Sequence, residues 1–191
     1  FDGQTASAHV QLVATASGTK PESGAAVENS DFDLAFQAFV ESKQLGEAEK
    51  LAQKALERHL DPLVWTRRLA QVAQWNNHPA LALKYWLQFA QDSGNDEAWA
   101  NVLKLAPQLD NDQAYLAALI HASDRSPRDL ALRDKVVATY ERLGQPQAGM
   151  AYLKSRAKGA TRQPSLERYA ALAERSGDDK AAMQAYRSLM S

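Results

Sequence analysis

Four histidines are the residues of this sequence best suited to metal binding or proton transfer. His9, His59, His78 and His121 are separated by sequence intervals of 50, 19 and 43. No pair has the H-E-x-x-H or H-x-x-x-H spacing that would place two imidazoles on one face of a helix. The chain contains no cysteine, which excludes thiolate metal sites and cysteine nucleophiles. We therefore expect neither a metal site nor a bound cofactor.

Carboxylates and serines are the remaining groups that could catalyse a reaction. Glu47 with Glu49, and Asp110 with Asp112, are acidic pairs, but both pairs fall where helices are expected to begin. Negative charge is favourable there because it complements the helix dipole. No serine lies in a G-x-S-x-G elbow, and the sequence contains no glycine-rich phosphate loop. The sequence predicts a protein without catalytic activity of its own.

The charge balance argues against two further classes of partner. The 191 residues include 22 basic and 23 acidic side chains and carry a net charge of -1, so the chain is not drawn to nucleic acid or to anionic lipid. Apolar runs such as Ala80–Leu83 are far shorter than the roughly 20 residues of a membrane-spanning helix. We expect no nucleic-acid partner and no membrane insertion by this segment.

The sequence contains a helical repeat, and the helices of this repeat would position any functional surface. From Asp31 onward the sequence is rich in strong helix formers, with apolar residues three and four apart. Helix starts recur at nearly constant sequence intervals, at Leu45, Pro79, Asn111, Pro146 and Asp179. A small residue follows each start by three positions, at Ala48, Ala82, Ala114, Gly149 and Ala182. Ten helices in antiparallel pairs are predicted, and a closed bundle of accidental amphipathic helices is the alternative.

The repeat resembles the tetratricopeptide family. Unit two carries the pattern with Trp65, Leu69, Ala70, Ala82 and Trp86, and unit four has Leu143-Gly144 at its turn. The resemblance implies an all-α, right-handed superhelical solenoid of about five helical hairpins. The predicted units are 31–62, 63–95, 96–127, 128–163 and 164–191, preceded by an irregular leader or linker over 1–30. In unit three, Pro107 predicts a first helix that is short or kinked.

The family resemblance also implies a partner-binding groove along the concave surface formed by the first helix of each unit. Trp65, Trp86 and Trp99 are expected in the core, whereas Trp75 is a candidate groove residue. The predicted groove residues are Asp33, Gln37, Glu41, Arg67, Gln71, Gln74, Trp75 and Asn101, with Val64, Asp134, Glu141 and Arg142 at related positions. We therefore expect a surface of mixed charge that binds a protein.

Units one and two resemble a narrower group. The run RRLAQVAQW from Arg67 to Trp75, followed by PALALKYW from Pro79 to Trp86, is similar to the periplasmic repeat region of the PelB family. These are outer-membrane proteins that export the biofilm exopolysaccharide Pel. The resemblance implies a periplasmic scaffold within a larger outer-membrane protein. It would recruit a PelA-like deacetylase and hydrolase, and direct contact with polysaccharide is left open.

Two other assignments fit the same sequence. One is a cytoplasmic bacterial repeat scaffold that acts in regulation or envelope assembly. The other is a repeat domain attached to a catalytic domain outside this sequence. Neither changes the expected fold or the expected class of partner.

Overall fold

A computed structural model describes residues 22–190 of the chain, and these residues form α-helices joined by short turns. Their bounds are α1 Glu22–Glu41, α2 Leu45–Glu57, α3 Pro62–Trp75, α4 Pro79–Ser93, α5 Asp96–Leu105, α6 Asp112–Arg125, α7 Leu130–Arg142, α8 Pro146–Arg156, α9 Arg162–Arg175 and α10 Asp179–Leu189. Two 3-10 helices occupy Ala106–Leu109 and Gly159–Thr161. No strand occurs in this part of the chain.

The helices form five consecutive hairpins, and each helix packs mainly against its neighbours in the sequence. Three overlapping clusters of buried side chains follow one another from α1 to α10 and replace the single central core of a closed bundle. The protein is therefore an all-α helical repeat solenoid, as predicted. Stacking of this kind buries the apolar stripe of each hairpin against the next hairpin.

The second helices of the hairpins start at even intervals, which differ by no more than one position along the described chain. The predicted starts at Leu45, Pro79, Pro146 and Asp179 are confirmed. In unit three the helix begins one residue later than predicted, because Asn111 is its N-cap and accepts a hydrogen bond from the Ala114 N–H at 3.0 Å.

The turn inside every hairpin uses the same backbone conformation. The residue two positions before each second helix has a φ between 50° and 75°, at Lys43, Asn77, Asp110, Gly144 and Gly177. This left-handed conformation costs a glycine almost nothing and is unfavourable for a residue with a Cβ. Lys43 therefore strains this turn in unit one, whereas Asn77 and Asp110 are residue types that tolerate the conformation.

Small residues mark the closest helix approaches, as the sequence predicts. Ala48, Ala82, Ala114, Gly149 and Ala182 are all buried. A Cβ at Gly149 would lie 3.1 Å from Leu172 Cδ2 and 3.2 Å from Tyr140 Cβ, so α8 contacts the helices on both sides of it closely.

Helix α1 begins at Glu22, well before the predicted end of the leader. The prediction of an irregular segment over 1–30 is therefore wrong for residues 22–30, and residues 1–21 lie outside the described part of the chain. Two contacts hold the first part of α1 on the repeat: Glu28 pairs with Arg58, and Asn29 Oδ1 accepts a hydrogen bond from Trp65 Nε1 at 2.8 Å. These tertiary contacts stabilise the helix at Glu28 and Asn29, within the segment predicted to be irregular.

Unit three has the predicted irregularity. Helix α5 ends at Leu105, and the chain continues as a 3-10 helix that contains Pro107. Proline has no N–H to donate and crowds the preceding turn, so the α-helix stops before it. The first helix of unit three is consequently the shortest first helix in the described chain.

Candidate partner-binding face

We call the surface formed by α1, α3, α5, α7 and α9 the helix-A face. All predicted groove residues belong to these helices. Ion pairs between consecutive units cross this face at repeating positions. Asp33 of α1 pairs with Arg68 of α3, and Asp134 of α7 pairs with Arg168 of α9. A third pair joins Glu141 to Arg175, with a distance of 3.0 Å between Oε1 and Nε.

The geometry of these pairs makes them contacts between units. The second oxygen of Asp134 accepts from Arg168 Nη2 at 3.0 Å, and Glu141 accepts from both Nε and Nη2 of Arg175. These hydrogen bonds raise the pKa values of Arg168 and Arg175 above the ordinary arginine value. Two-point arginine–carboxylate pairing fixes orientation as well as distance. Much of the charge on the helix-A face is therefore neutralised within the protein.

Asp33 illustrates the consequence for the predicted groove. Its partner Arg68 also lies over the Trp65 ring at 4.5 Å and the Phe36 ring at 5.3 Å. Arg68 is thus held between two aromatic rings and a carboxylate, and it joins unit one to unit two. Asp33, a predicted groove residue, therefore forms a contact between units one and two.

The series of ion pairs is interrupted at unit three. Ala100 occupies the position that Asp134 has in unit four, and Asn101 occupies the position of Lys135. Asn101 donates a hydrogen bond to the Glu97 carbonyl at 3.1 Å, within its own helix. Arg67 approaches the Glu97 carboxylate only to 3.7 Å, and both side chains are exposed. The middle of the helix-A face consequently lacks the repeated acid–arginine pair.

A cleft of about 280 Å³ opens at this interruption, which we call the central cleft. Helix α5 supplies Trp99, Ala100 and Leu103 to its apolar lining, which is completed by Ala118 and Ala122 of α6 and Leu132 of α7. Asp96, His121, Arg125 and Ser126 add polar groups to the lining. Apolar surface with a few polar groups is the usual composition of a binding pocket.

One wall of the central cleft is held by a small network. The Trp99 and His121 rings are stacked, with centroids 4.9 Å apart and planes 18° from parallel. His121 Nε2 lies 3.1 Å from Asp96 Oδ1, and Arg125 pairs with the same carboxylate. Because Asp96 begins α5 and His121 lies on α6, these contacts fix the two helices of unit three relative to each other.

A second cleft, of about 270 Å³, lies between α7 and α9. Val137, Ala138 and Ala171 form its apolar part. Both ion pairs of these two helices, Asp134–Arg168 and Glu141–Arg175, contribute to its lining. The repeat position that is Ala100 in the central cleft is Asp134 in the second cleft, where it is paired with Arg168.

The structure does not bring all predicted groove residues into one site. Gln74 accepts a hydrogen bond from Trp86 Nε1 at 2.9 Å, so its amide satisfies a buried indole. Trp75 is 52% exposed at the C-terminal end of α3. Gln37, Glu41 and Arg67 are exposed, and Gln71 is half-buried.

Trp99, which the sequence predicts in the core, packs half-buried against the core cluster and is also a functional candidate. Trp65 is fully buried, but the residue at the equivalent position of unit three is Ala98, which is also fully buried. Both residues precede the start of their second helix by the same interval. Trp99 is one position further on and lines the central cleft. Recognising Asn111 as a cap would have given this register from the sequence.

Neither a metal site nor a membrane-spanning helix is present among residues 22–190. These residues contain no group of three or more His, Asp or Glu side chains arranged to hold a metal ion. None of the described helices is long and apolar enough to cross a bilayer.

The chain matches no protein-family model and no curated protein sequence. Among solved structures, one of MamA is similar with a TM-score of 0.46 and 13% identity, covering 85% of this chain and 90% of that chain. A second MamA structure has a TM-score of 0.42 and 14% identity over 81% and 92% of the two chains. PilF of Pseudomonas aeruginosa has a TM-score of 0.38 and 16% identity over 87% and 77%. Similarity at this level carries no information about the function of the chain.

Proposed function

We propose that this protein is a non-catalytic scaffold that binds a protein segment along its helix-A face, with the central cleft as the anchor point. The observation that carries the proposal is the interruption of the inter-unit ion pairs at Ala100. At that position an apolar surface of α5, α6 and α7 is open to solvent. At the corresponding positions of units one and four, Asp33 and Asp134 are paired with arginines of the next first helix.

The size of the central cleft favours a protein segment over a small molecule. About 280 Å³ is at the lower limit of the volumes that hold free ligands, which are roughly 300–1,000 Å³. One apolar side chain of a partner fits such a volume, and the stacked Trp99 and His121 rings give it a rigid wall. Asp96 and Arg125 at the same cleft offer polar groups to the partner's backbone. A few anchors of this kind dominate the affinity of most protein interfaces.

The resemblance of units one and two to the PelB family supports a specific setting. We propose that the chain is the periplasmic repeat domain of an outer-membrane export protein for a Pel-type polysaccharide. Its partner is then a PelA-like deacetylase and hydrolase, which the scaffold holds near the export pore. The absence of cysteine is compatible with an oxidising periplasm and equally with the cytoplasm.

The test is the affinity of the full chain for a PelA-like enzyme, measured by calorimetry for the unmodified chain and three variants. Ala100→Arg places a long charged side chain in the central cleft and should weaken binding at least tenfold. Trp75→Ala should weaken binding by about 2 kcal/mol if Trp75 is a second anchor. Ala80→Arg is the matched control, since Ala80 is also an exposed helical alanine but lies on α4. Its affinity should equal that of the unmodified chain.

The outcomes test separately the assignment to polysaccharide export and the assignment of the central cleft as the anchor point. Failure of the PelA-like enzyme to bind would contradict the export assignment. A partner captured instead from cytoplasmic extract, with binding that is sensitive to Ala100→Arg, would favour the cytoplasmic scaffold. Binding that survives Ala100→Arg would contradict the central cleft as the anchor in either setting.

A further inference from the structure

A pocket of about 400 Å³ lies between α8, α9 and α10, and we call it the basic pocket. Leu166, Tyr169 and Ala185 form its apolar part. Tyr169 also packs against the core of the last units, so this part of the lining is fixed by the fold. Pockets that hold free ligands have volumes of roughly 300–1,000 Å³. The basic pocket is therefore large enough for a small molecule.

Two cations line the basic pocket, Lys154 of α8 and Arg187 of α10. The Lys154 ammonium forms no hydrogen bond or ion pair with any other residue of 22–190. Arg187 Nη2 donates to the Met183 sulfur at 3.4 Å, and this neutral thioether is a weak acceptor. Gln184 and Ser188 complete the lining with uncharged polar groups. Within the described chain, both charges therefore lack a counter-ion.

The basic pocket differs in this respect from the clefts of the helix-A face. Arg125 in the central cleft is paired with Asp96, and Arg168 in the second cleft is paired with Asp134. The acidic residues of α8, α9 and α10 do not line the basic pocket; they are Glu167, Glu174 and Asp179. Its positive charge is thus available to a ligand.

The repeat brings the two cations to the same pocket. Lys154 and Arg187 are each the ninth residue of their helix. The ninth residues of the second helices in units one to three are uncharged: Gln53, Leu87 and Ile120. Consecutive second helices stand side by side in a solenoid, so equivalent positions of units four and five face one pocket. The pair of cations is therefore a feature of these two units and not of the repeat in general.

The openness of the pocket is also found inside the solenoid. A cleft of about 550 Å³ lies between α2 and α4, with three further hairpins after it. Its lining residues Gln53, Tyr85 and Gln88 have the helix positions of Lys154, Ala185 and Ser188. The following hairpins leave that cleft open. A further hairpin stacked on α10 would leave the basic pocket open in the same way.

We propose that the basic pocket binds a small organic anion. One carboxylate or phosphate group of the ligand lies between Lys154 and Arg187, and its apolar body covers Leu166 and Ala185. Arginine can donate two parallel hydrogen bonds to either group, and lysine adds a compact positive charge. This site is separate from the central cleft and does not depend on the proposed function.

Three probes that share one ring system test the required chemistry. They are 2-naphthoate, 2-naphthyl phosphate and the neutral 2-naphthalenemethanol, each titrated into the ¹⁵N-labelled full chain and followed by NMR. Both anions should bind saturably and shift the amide signals of α8 and α10. The neutral alcohol should bind at least tenfold more weakly. Either order of affinity between the two anions supports the proposal, and the tighter one identifies the preferred anionic group.

A double variant tests the two cations. Lys154→Gln combined with Arg187→Gln should weaken 2-naphthoate binding at least tenfold without changing the melting temperature, because both side chains are exposed. Arg128→Gln combined with Lys135→Gln is the matched control, since it removes the same charge from exposed positions outside the pocket. Its affinity should stay within twofold of the unmodified chain.

A single variant tests the site by adding charge. Gln184→Glu places a carboxylate in the lining and should weaken 2-naphthoate binding at least threefold, because it repels the ligand and pairs with the cations. Gln88→Glu makes the same change in the cleft between α2 and α4, and it should leave the affinity unchanged.

Three results would overturn the proposal. The first is binding of 2-naphthalenemethanol as tight as that of 2-naphthoate, which would mean that the cations take no part. The second is an unchanged affinity of the Lys154→Gln, Arg187→Gln chain, which would place the ligand elsewhere. The third is the absence of saturable binding of both anions at millimolar concentration.

Discussion

The four tryptophans have different roles because they occupy different positions in the repeat, in one case shifted by a single residue. Trp65 and Trp86 are buried, and each indole N–H donates to a side-chain oxygen. Trp99 is displaced by one position from the equivalent of Trp65 and lines the central cleft. Trp75 is half exposed. Only the last two are available to a partner.

The exposure of these residues predicts different stability effects. Trp86→Ala should lower the free energy of unfolding by roughly 3–5 kcal/mol, because it empties a buried aromatic site and leaves Gln74 without its donor. Trp75→Ala should change it by less than about 0.5 kcal/mol. Urea unfolding of the two variants measures both. Equal destabilisation would mean that Trp75 is a packing residue and not a partner anchor.

Arg133 is a buried cation without a carboxylate. Its Nη1 donates to Ser165 Oγ at 2.9 Å and its Nη2 donates to the Pro127 carbonyl at 2.5 Å. Its buried Nε has no hydrogen-bond partner among the described residues. The side chain joins α7 to α9 and to the turn before α7, but at a substantial cost in desolvation.

A pair of variants tests this cost. Arg133→Met should leave the free energy of unfolding unchanged or raise it, because an apolar side chain of similar length needs no partners. Ser165→Ala should lower it by about 1–3 kcal/mol, because the guanidinium then loses one of its two acceptors. Denaturant unfolding of both variants measures these changes in the free energy of unfolding. An Arg133→Met variant less stable than the Ser165→Ala variant would show that the buried charge is net stabilising.

At the scale of elements, the turn between paired helices is the most regular feature of the repeat. Gly144 and Gly177 fill its left-handed position in units four and five, whereas Lys43 fills it in unit one. Lys43 is exposed, and a Cβ at Gly144 would have no heavy atom within 4 Å. The two positions thus differ in backbone preference and not in packing.

Exchanging the residue types should shift stability in opposite directions. Lys43→Gly should raise the free energy of unfolding by about 0.5–1 kcal/mol, and Gly144→Lys should lower it by about 1 kcal/mol. Thermal unfolding of both variants provides the measurement. Two shifts of the same sign would contradict the left-handed assignment of this turn.

The contact between α6 and α7 predicts an acid dependence. Arg142 donates to both oxygens of Asp112, with 3.0 Å from Nε to Oδ2, and these hydrogen bonds lower the pKa of Asp112 below its ordinary value of 3.8. A carboxyl whose pKa is lower in the folded state stabilises the protein above the unfolded pKa, and this contribution is lost as the pH falls through the folded pKa.

Arg142→Gln removes the cause of the shift. The difference in melting temperature between the unmodified chain and this variant should be constant from about pH 7 to pH 5 and should shrink below about pH 4. Melting curves across this range provide the test. A difference that persists unchanged at the lowest pH would mean that the pair contributes nothing through Asp112 ionisation.

For the whole molecule, the features that are local in sequence could be predicted, and those that depend on stacking could not. Proline at the start of α4 and α8 identified two second helices to the residue. The helical conformation at Glu28 and Asn29 was missed, because these residues are held by Arg58, which follows α2, and by Trp65 of α3. The ion pairs of the helix-A face were missed for the same reason. Their interruption at Ala100, which lines the central cleft, becomes visible only when the units are superimposed.

Site-specific photo-cross-linking tests the central claim most directly. A photoreactive p-benzoylphenylalanine at position 126, where the exposed Ser126 lies at the edge of the central cleft, reports on the cleft without filling it, and the same residue at position 80, on the exposed side of α4, is the control. With the PelA-like enzyme present, we expect a cross-linked product from position 126 and none from position 80. A product from position 80 together with none from position 126 would contradict the central cleft as the anchor point of this scaffold.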